Sequence, residues 1–163
     1  MLILGIDPGY HRCGFAVVKR LDGNRAELKG SGTIVTRPKE PLAVRLHALA
    51  IDLDKVIAEW KPDCVAVEEV YFAKNAKTAI GVAQARGVIL EHSAGAGLGV
   101  AEYSPTTVKS QLTGNGQADK NQVAFMVKRW FKLGDSKRLD DELDAIAVAL
   151  CHCMQAGIPE VMK

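Results

Sequence analysis

Leu2, Ile3, Leu4 and Ile6, interrupted by Gly5 alone, make an apolar run that stops at Asp7-Pro8-Gly9, a turn signal, so LILGID is predicted to be a buried strand. GFAVVKR and the stretch from about Arg25 to Thr36 read as two further strands, joined through a turn at Asp22-Gly23-Asn24. The three together form an antiparallel meander. From Pro41 to Trp60 the period changes: Leu42, Leu46, Leu49, Leu53, Val56 and Trp60 recur at steps of three and four, the stripe of an amphipathic helix that must stop before Pro62. DCVAVEE is a fourth strand, apolar on both faces as a covered strand should be. A second long helix spans residues 75 to 94. Its row Ala76, Ile80, Ala83, Gly87 and Glu91 is dominated by small side chains, which suits either close packing within the chain or a subunit interface.

GVAEY makes a fifth strand, and Ser104-Pro105 opens a short helix by the rule that a cap precedes a proline. TGNGQADK is a loop whose Gly114 and Gly116 free the backbone, and helices follow over Ala118 to Phe131 and Leu139 to about Gln155. Strands, helix, strand, helix, strand, helices is an α/β order. The meander is antiparallel and the helical crossovers make later strands parallel, so a five-stranded mixed sheet with helices on both faces is predicted.

With 163 residues, 48% of them hydrophobic, the chain fits a single domain over residues 1–163 with a proper core. The net charge of +2 neither requires nor excludes a polyanionic partner, so any basic footprint must be local. No basic leader precedes LILGI, and the longest apolar run, AIAVALC, is far short of the roughly 20 residues that span a bilayer. Four cysteines without paired spacing suggest reduced thiols and a cytoplasmic setting. Cys151-His152-Cys153 falls on a predicted helix, where successive side chains point about 100° apart and cannot converge on zinc.

The unusual chemistry is acidic. Asp7 closes an aliphatic strand and is either a turn former for Pro8-Gly9 or a functional group at the carboxyl edge of the sheet. Glu68 and Glu69 close another strand, and alternation sends them to opposite faces, so one of the two can join Asp7. RLDDELDAIAVAL then carries Asp140, Asp141, Glu142 and Asp144 at the head of a helix that becomes wholly apolar. One or two of these acids suit the positive end of the helix dipole. At about 100° per residue, Asp140 and Asp141 both share a side with Asp144, whereas Glu142 points nearly opposite. Asp144 lies among Leu143, Ala145 and Ile146, and the helix offers no Lys or Arg one turn further on to neutralise it. Carboxylates meeting there without an evident cation would call for a hard metal ion, most naturally Mg²⁺. Two such ions about 4 Å apart would clamp a phosphodiester, one activating water and the other stabilising the leaving oxygen.

GIDPGYHRCGFAVV, AVEEVYFAKNA followed by QARGV, VKSQLTGNGQADKNQV and DELDAIAVALCH occur in this order between residue 2 and about residue 153. Together they resemble the RuvC family of Holliday-junction resolvases. The resemblance implies a ribonuclease-H-like fold, a homodimer, and a Mg²⁺-dependent endonuclease, with Mn²⁺ able to substitute, that cuts two strands of a four-way DNA junction symmetrically. It implies partnership with the RuvA–RuvB branch-migration complex, and it selects Asp7, Glu68, Asp141 and Asp144 as the catalytic and metal-binding acids. By the same resemblance, Tyr71, with Phe72 beside it, would engage bases at the crossover, and Lys109 and Lys120 would contact the scissile region. Lys74, Lys77 and Arg86 would add phosphate contacts. Two rival readings are a noncatalytic junction-binding module, which needs no four acids, and a phosphotransferase of the actin and sugar-kinase type, which normally needs a longer, two-lobed chain.

Overall fold

A computed structural model of the chain describes residues 1–22, 25–69, 76–134 and 138–155. The strands are β1 (Leu2–Asp7), β2 (Arg12–Arg20), β3 (Ala26–Val35), β4 (Cys64–Glu68) and β5 (Gly99–Tyr103). The helices are α1 (Leu42–Trp60), α2 (Ala76–Gly95), α3 (Pro105–Thr113), α4 (Lys120–Trp130) and α5 (Asp140–Gln155). The sheet order is β3-β2-β1-β4-β5, with β1–β3 antiparallel and β4 and β5 added parallel to β1. The strand ends Asp7 and Glu68 therefore lie side by side, one position beyond the pair Ile6 and Val67.

Alternation divides the core into two layers. Leu4, Ile6, Val17, Val65 and Val67 face a cluster with Leu49, Leu53 and Val56 of α1 and Ala85 and Ile89 of α2. Ile3, Ala16, Val18 and Ala66 face the other way, toward Val108 and Leu112 of α3, Val123 and Val127 of α4 and the apolar run of α5. Counting by twos from Ile3 and Ala66 puts Asp7 and Glu68 on the α5 side and Glu69 on the opposite one.

α5 lies unusually close to the sheet. A methyl group at Gly14 would overlap the carbonyl oxygen of Asp141, and one at Gly5 would overlap that of Ala145 and sit 2.6 Å from the Ala149 side chain. These two strand glycines are contact points that set the helix's height above β1 and β2. Laterally, Arg138 donates to both Ser31 of β3 and Glu142, and Ser31 donates to Glu142 at 2.6 Å. Glu142 is thus turned toward β3 and away from the acids at the sheet edge, as helix geometry predicts.

Two boundaries differ from the sequence reading. β2 starts two residues earlier than GFAVVKR, and α4 starts at Lys120 because Asp119 caps it in a reciprocal box with Gln122. Of the two readings of the small row of α2, packing inside the chain does not hold for its described side chains: Ile80, Ala83, Gly87 and Glu91 are exposed, while Ala79, Ala85, Ile89 and Ser93 are buried, and the side chain of Ala76 lies outside the described residues. The predicted turn residues Gly23 and Asn24 lie outside the described residues. No described helix is long and apolar enough to cross a membrane. All four cysteines are free thiols, and His152 uses its two ring nitrogens on the Tyr103 hydroxyl (2.7 Å) and the Cys64 sulfur (3.4 Å).

Candidate active site

The acids converge at the carboxyl ends of β1 and β4, beneath the head of α5. The turn that follows Asp7 is anchored from α1: buried Arg45 donates Nη2 to the Tyr10 carbonyl at 2.7 Å and Nε to Thr36 Oγ1 at 3.1 Å. Its guanidinium also stacks 4.7 Å from the Tyr10 ring centroid. Asp7 is therefore held between a rigid strand and a pinned turn. Sequence reasoning missed Arg45, whose signal was an arginine on the otherwise apolar stripe of α1.

Asp7 and Glu68 accept no hydrogen bond and form no ion pair with any described residue. Burial pushes the Asp7 carboxyl up to about 8, and the charges of Glu68, Asp144 and Asp141 add to the shift against a smaller opposing effect of Lys120. Glu68 rises to about 7, again through burial first and Asp144 second, opposed by Lys109 and Lys120. Asp144 is raised by burial, although Lys120 Nζ, 2.9 Å from its Oδ2, pulls it back down. Partial burial pulls Lys120 down, but its hydrogen bond to Asp144 and the charges of Asp144, Asp140 and Asp7 together outweigh this and leave it above the usual lysine range.

The expectation that the acids meet without a cationic partner is corrected here. No cation comes from α5 itself, but Lys120 at the head of α4 reaches Asp144, and Arg12 at the start of β2 brings Nε to 2.6 Å from Asp141 Oδ2. Asp140 is an exposed first-turn acid, 3.7 Å from Lys120. Glu68, Asp144, Lys109 and Lys120 together line a pocket of about 190 Å³, floored by Val108, Val123 and Ala147. The lining mixes carboxylates and ammonium groups, with Lys120 and Asp144 in direct contact, so it offers both acids for a cation and positive charge for a phosphodiester. Among the DNA-contact candidates, Arg86 is in an ion pair with Glu102 of β5. Tyr71, Phe72 and Lys74 lie outside the described residues, and Lys77 is in the first turn of α2 with its side chain outside them.

Whether these acids suit a metal is decided by their partners. Among the described residues no three His, Cys, Asp or Glu side chains are already gathered so as to hold a metal ion. Two half-buried carboxylates, Asp7 and Glu68, nevertheless stand without a hydrogen bond or ion pair to any described residue, and Asp141 Oδ2 is buried with no aligned hydrogen bond. An all-carboxylate donor set of this kind fits a hard, oxygen-preferring dication. A stability consequence follows. Unfolded, Asp7 and Glu68 titrate near 3.8 and 4.5; folded, near 8 and 7. The folded state holds protons that the unfolded chain has released, so stability is fully present at acid pH and is lost as pH rises through the folded values. The melting temperature in chelator is expected to fall from about pH 5 to 8, and added Mg²⁺ to recover more of it at about pH 8 than at about pH 6. Thermal scans across pH with and without Mg²⁺ check this.

The sequence model of the family described as crossover junction endodeoxyribonuclease RuvC matches residues 3–152. A relative of that name from Syntrophomonas wolfei is 45% identical over 152 residues, covering 93% of this chain and 88% of its own length. Another from Heliobacterium modesticaldum is 43% identical over 160 residues, covering 97% and 98%. Among solved structures, Thermus thermophilus RuvC in complex with a Holliday junction substrate superposes with a TM-score of 0.88 at 35% identity, over 96% of this chain and 94% of that one. The yeast mitochondrial Holliday junction resolvase shares the fold, with a TM-score of 0.72 at 12% identity, over 93% of this chain and 77% of that one. The five-stranded mixed sheet between two helical layers is a ribonuclease-H-like fold in accord with these matches, and the chain belongs to the RuvC family of crossover junction endodeoxyribonucleases.

Proposed function

We propose that the protein is a structure-selective endonuclease that resolves four-way DNA junctions by symmetric paired nicks, in recombination and repair in the cytoplasm. Asp7, Glu68, Asp141 and Asp144 are its catalytic acids, and residues 1–163 act as one nuclease domain. The observation that carries this reading is the meeting of unpartnered Asp7 and Glu68 with the α5 acids beside a pocket walled by Lys109 and Lys120.

The four carboxylates would hold divalent cations, Mg²⁺ with Mn²⁺ as a substitute, which when bound neutralise charge on the phosphodiester and activate water. Asp7 and Glu68 supply oxygens already stripped of other partners, so binding a dication there removes a standing repulsion. Lys109 and Lys120 line the pocket beside the acids and would present positive charge to the phosphate of a strand lying in it. The rigid edge of β1 and β4 keeps Asp7 and Glu68 in register, which favours in-line attack of water on phosphorus with departure of the 3′ oxygen. The products are a 5′ phosphate and a 3′ hydroxyl, which a ligase can rejoin.

Paired nicks need two such sites related by a two-fold axis. The exposed row of Ile80, Ala83 and Gly87 on α2 supports a homodimer built on that face. Partnership with a RuvA–RuvB branch-migration complex, and base contacts through Tyr71 or Phe72, complete the proposal on the strength of family membership. Incubating the protein with a synthetic four-way junction and a linear duplex of the same sequence, with Mg²⁺ or chelator, tests it. Nicks at symmetric positions in the junction only, and only with Mg²⁺, are expected. Equal cutting of the duplex would remove the structure-selective reading.

A further inference from the structure

Asp141 and Asp144 differ from Asp7 and Glu68 in having a cation beside them. Lys120 of Asp144 also lines the pocket, so its role is tied to whatever enters there. Arg12 is separable, because it does not line that pocket and its charge pairs with Asp141. Its Nε lies 2.6 Å from Asp141 Oδ2, yet that buried oxygen receives no properly aligned hydrogen bond. The contact is a charge pairing without the directional fit of a fork-shaped guanidinium on a carboxylate. The Arg12 side chain is 46% exposed and that of Asp141 21%, and Asp141 Oδ2 itself is buried, so the guanidinium can swing into solvent more freely than the oxygen it faces. Asp141 also stands within electrostatic reach of Asp7.

We propose that Arg12 is a resident counterion of Asp141 that a divalent cation must displace, so that this arginine sets the metal affinity of the α5 side of the centre. The inference rests on the assignment of Asp141 as a metal ligand. A dication and a guanidinium compete for the same buried oxygen, and whatever the pairing contributes is subtracted from metal binding. In the absence of metal the pairing holds Asp141 in place at the first turn of α5. A partly exposed, imperfectly aligned pair of this kind is worth roughly a two- to fivefold change in metal affinity.

Titrating the DNA-free protein with Mn²⁺, and following free Mn²⁺ by electron paramagnetic resonance, tests the proposal with a readout independent of cleavage. Arg12→Gln is expected to bind one Mn²⁺ roughly two- to fivefold more tightly than the wild type, and Arg12→Lys to fall between them. Asp141→Asn is expected to bind it more weakly. Local damage would weaken binding, so tightening is specific to loss of a competitor. If Arg12→Gln leaves affinity unchanged or lower while Asp141→Asn weakens it, the counterion role is overturned and the ligand assignment stands. If Asp141→Asn leaves Mn²⁺ binding intact, that assignment is wrong and the proposal falls with it.

Discussion

Asp7→Asn is expected to lower the nicking rate on a four-way junction by about a thousandfold or more while leaving junction binding within a few-fold of wild type. The amide has the same shape but loses the negative charge that would hold a dication against the phosphodiester. Its neighbours cannot compensate, since Glu68 points from the adjacent strand and Asp141 is already paired with Arg12. The same change should stabilise the metal-free protein at about pH 8. Asp7 titrates near 8 when folded and near 3.8 when unfolded, so ionising it in place costs stability that grows as pH rises between those values. Asparagine carries no such penalty, and the fall of melting temperature with pH in chelator should become shallower. A residue whose removal stabilises the fold and destroys activity is one kept for chemistry. Gel assays of nicking, anisotropy of binding in Ca²⁺ and thermal melts in chelator separate the three effects.

Gly14→Ala should have the largest effect on stability, about 3 kcal/mol or more, together with severe loss of nicking. Gly14 pairs with Asp7 across β1 and β2, and its missing side chain is the space into which the Asp141 carbonyl fits. The obstructing atom is backbone, so no rotamer change relieves the overlap. The head of α5 must lift, and Asp141 and Asp144 lift with it. Urea denaturation gives the stability change. Mn²⁺ binding by the fraction that remains folded reports whether the acids still meet.

These two residues show where sequence reading reaches and where it stops. The strand ending in Asp7, the α1 stripe, the Ser104 cap and the rotation of Glu142 away from Asp144 all follow from local periodicity and turn chemistry, and the structure agrees with them. The choice of Glu68 over Glu69 did not follow, because alternation puts the two on opposite faces without saying which face α5 covers. The height of α5 above the sheet is set by Gly5 and Gly14, which in sequence look like ordinary breaks in apolar strands. Arg12, Lys120 and Arg45 reach the acids or their supporting turn from other elements. Their partners are fixed by tertiary packing, which no local pattern contains. The Asp119 capping box was legible in D-x-x-Q and would have placed the start of α4, and with it Lys120, correctly.

The central claim is that Asp7, Glu68, Asp141 and Asp144 form the reactive centre and that the acids adjoining them in sequence do not. The most direct measurement is the single-turnover nicking rate of a four-way junction in Mg²⁺ for the amide variant of each of these four, beside Glu69→Gln, Asp140→Asn and Glu142→Gln. The account predicts losses of about a hundredfold or more for each of the four and changes within about tenfold for the three neighbours. A Glu69 or Asp140 variant as inactive as Asp7→Asn, with Glu68 or Asp141 variants near wild type, would contradict it.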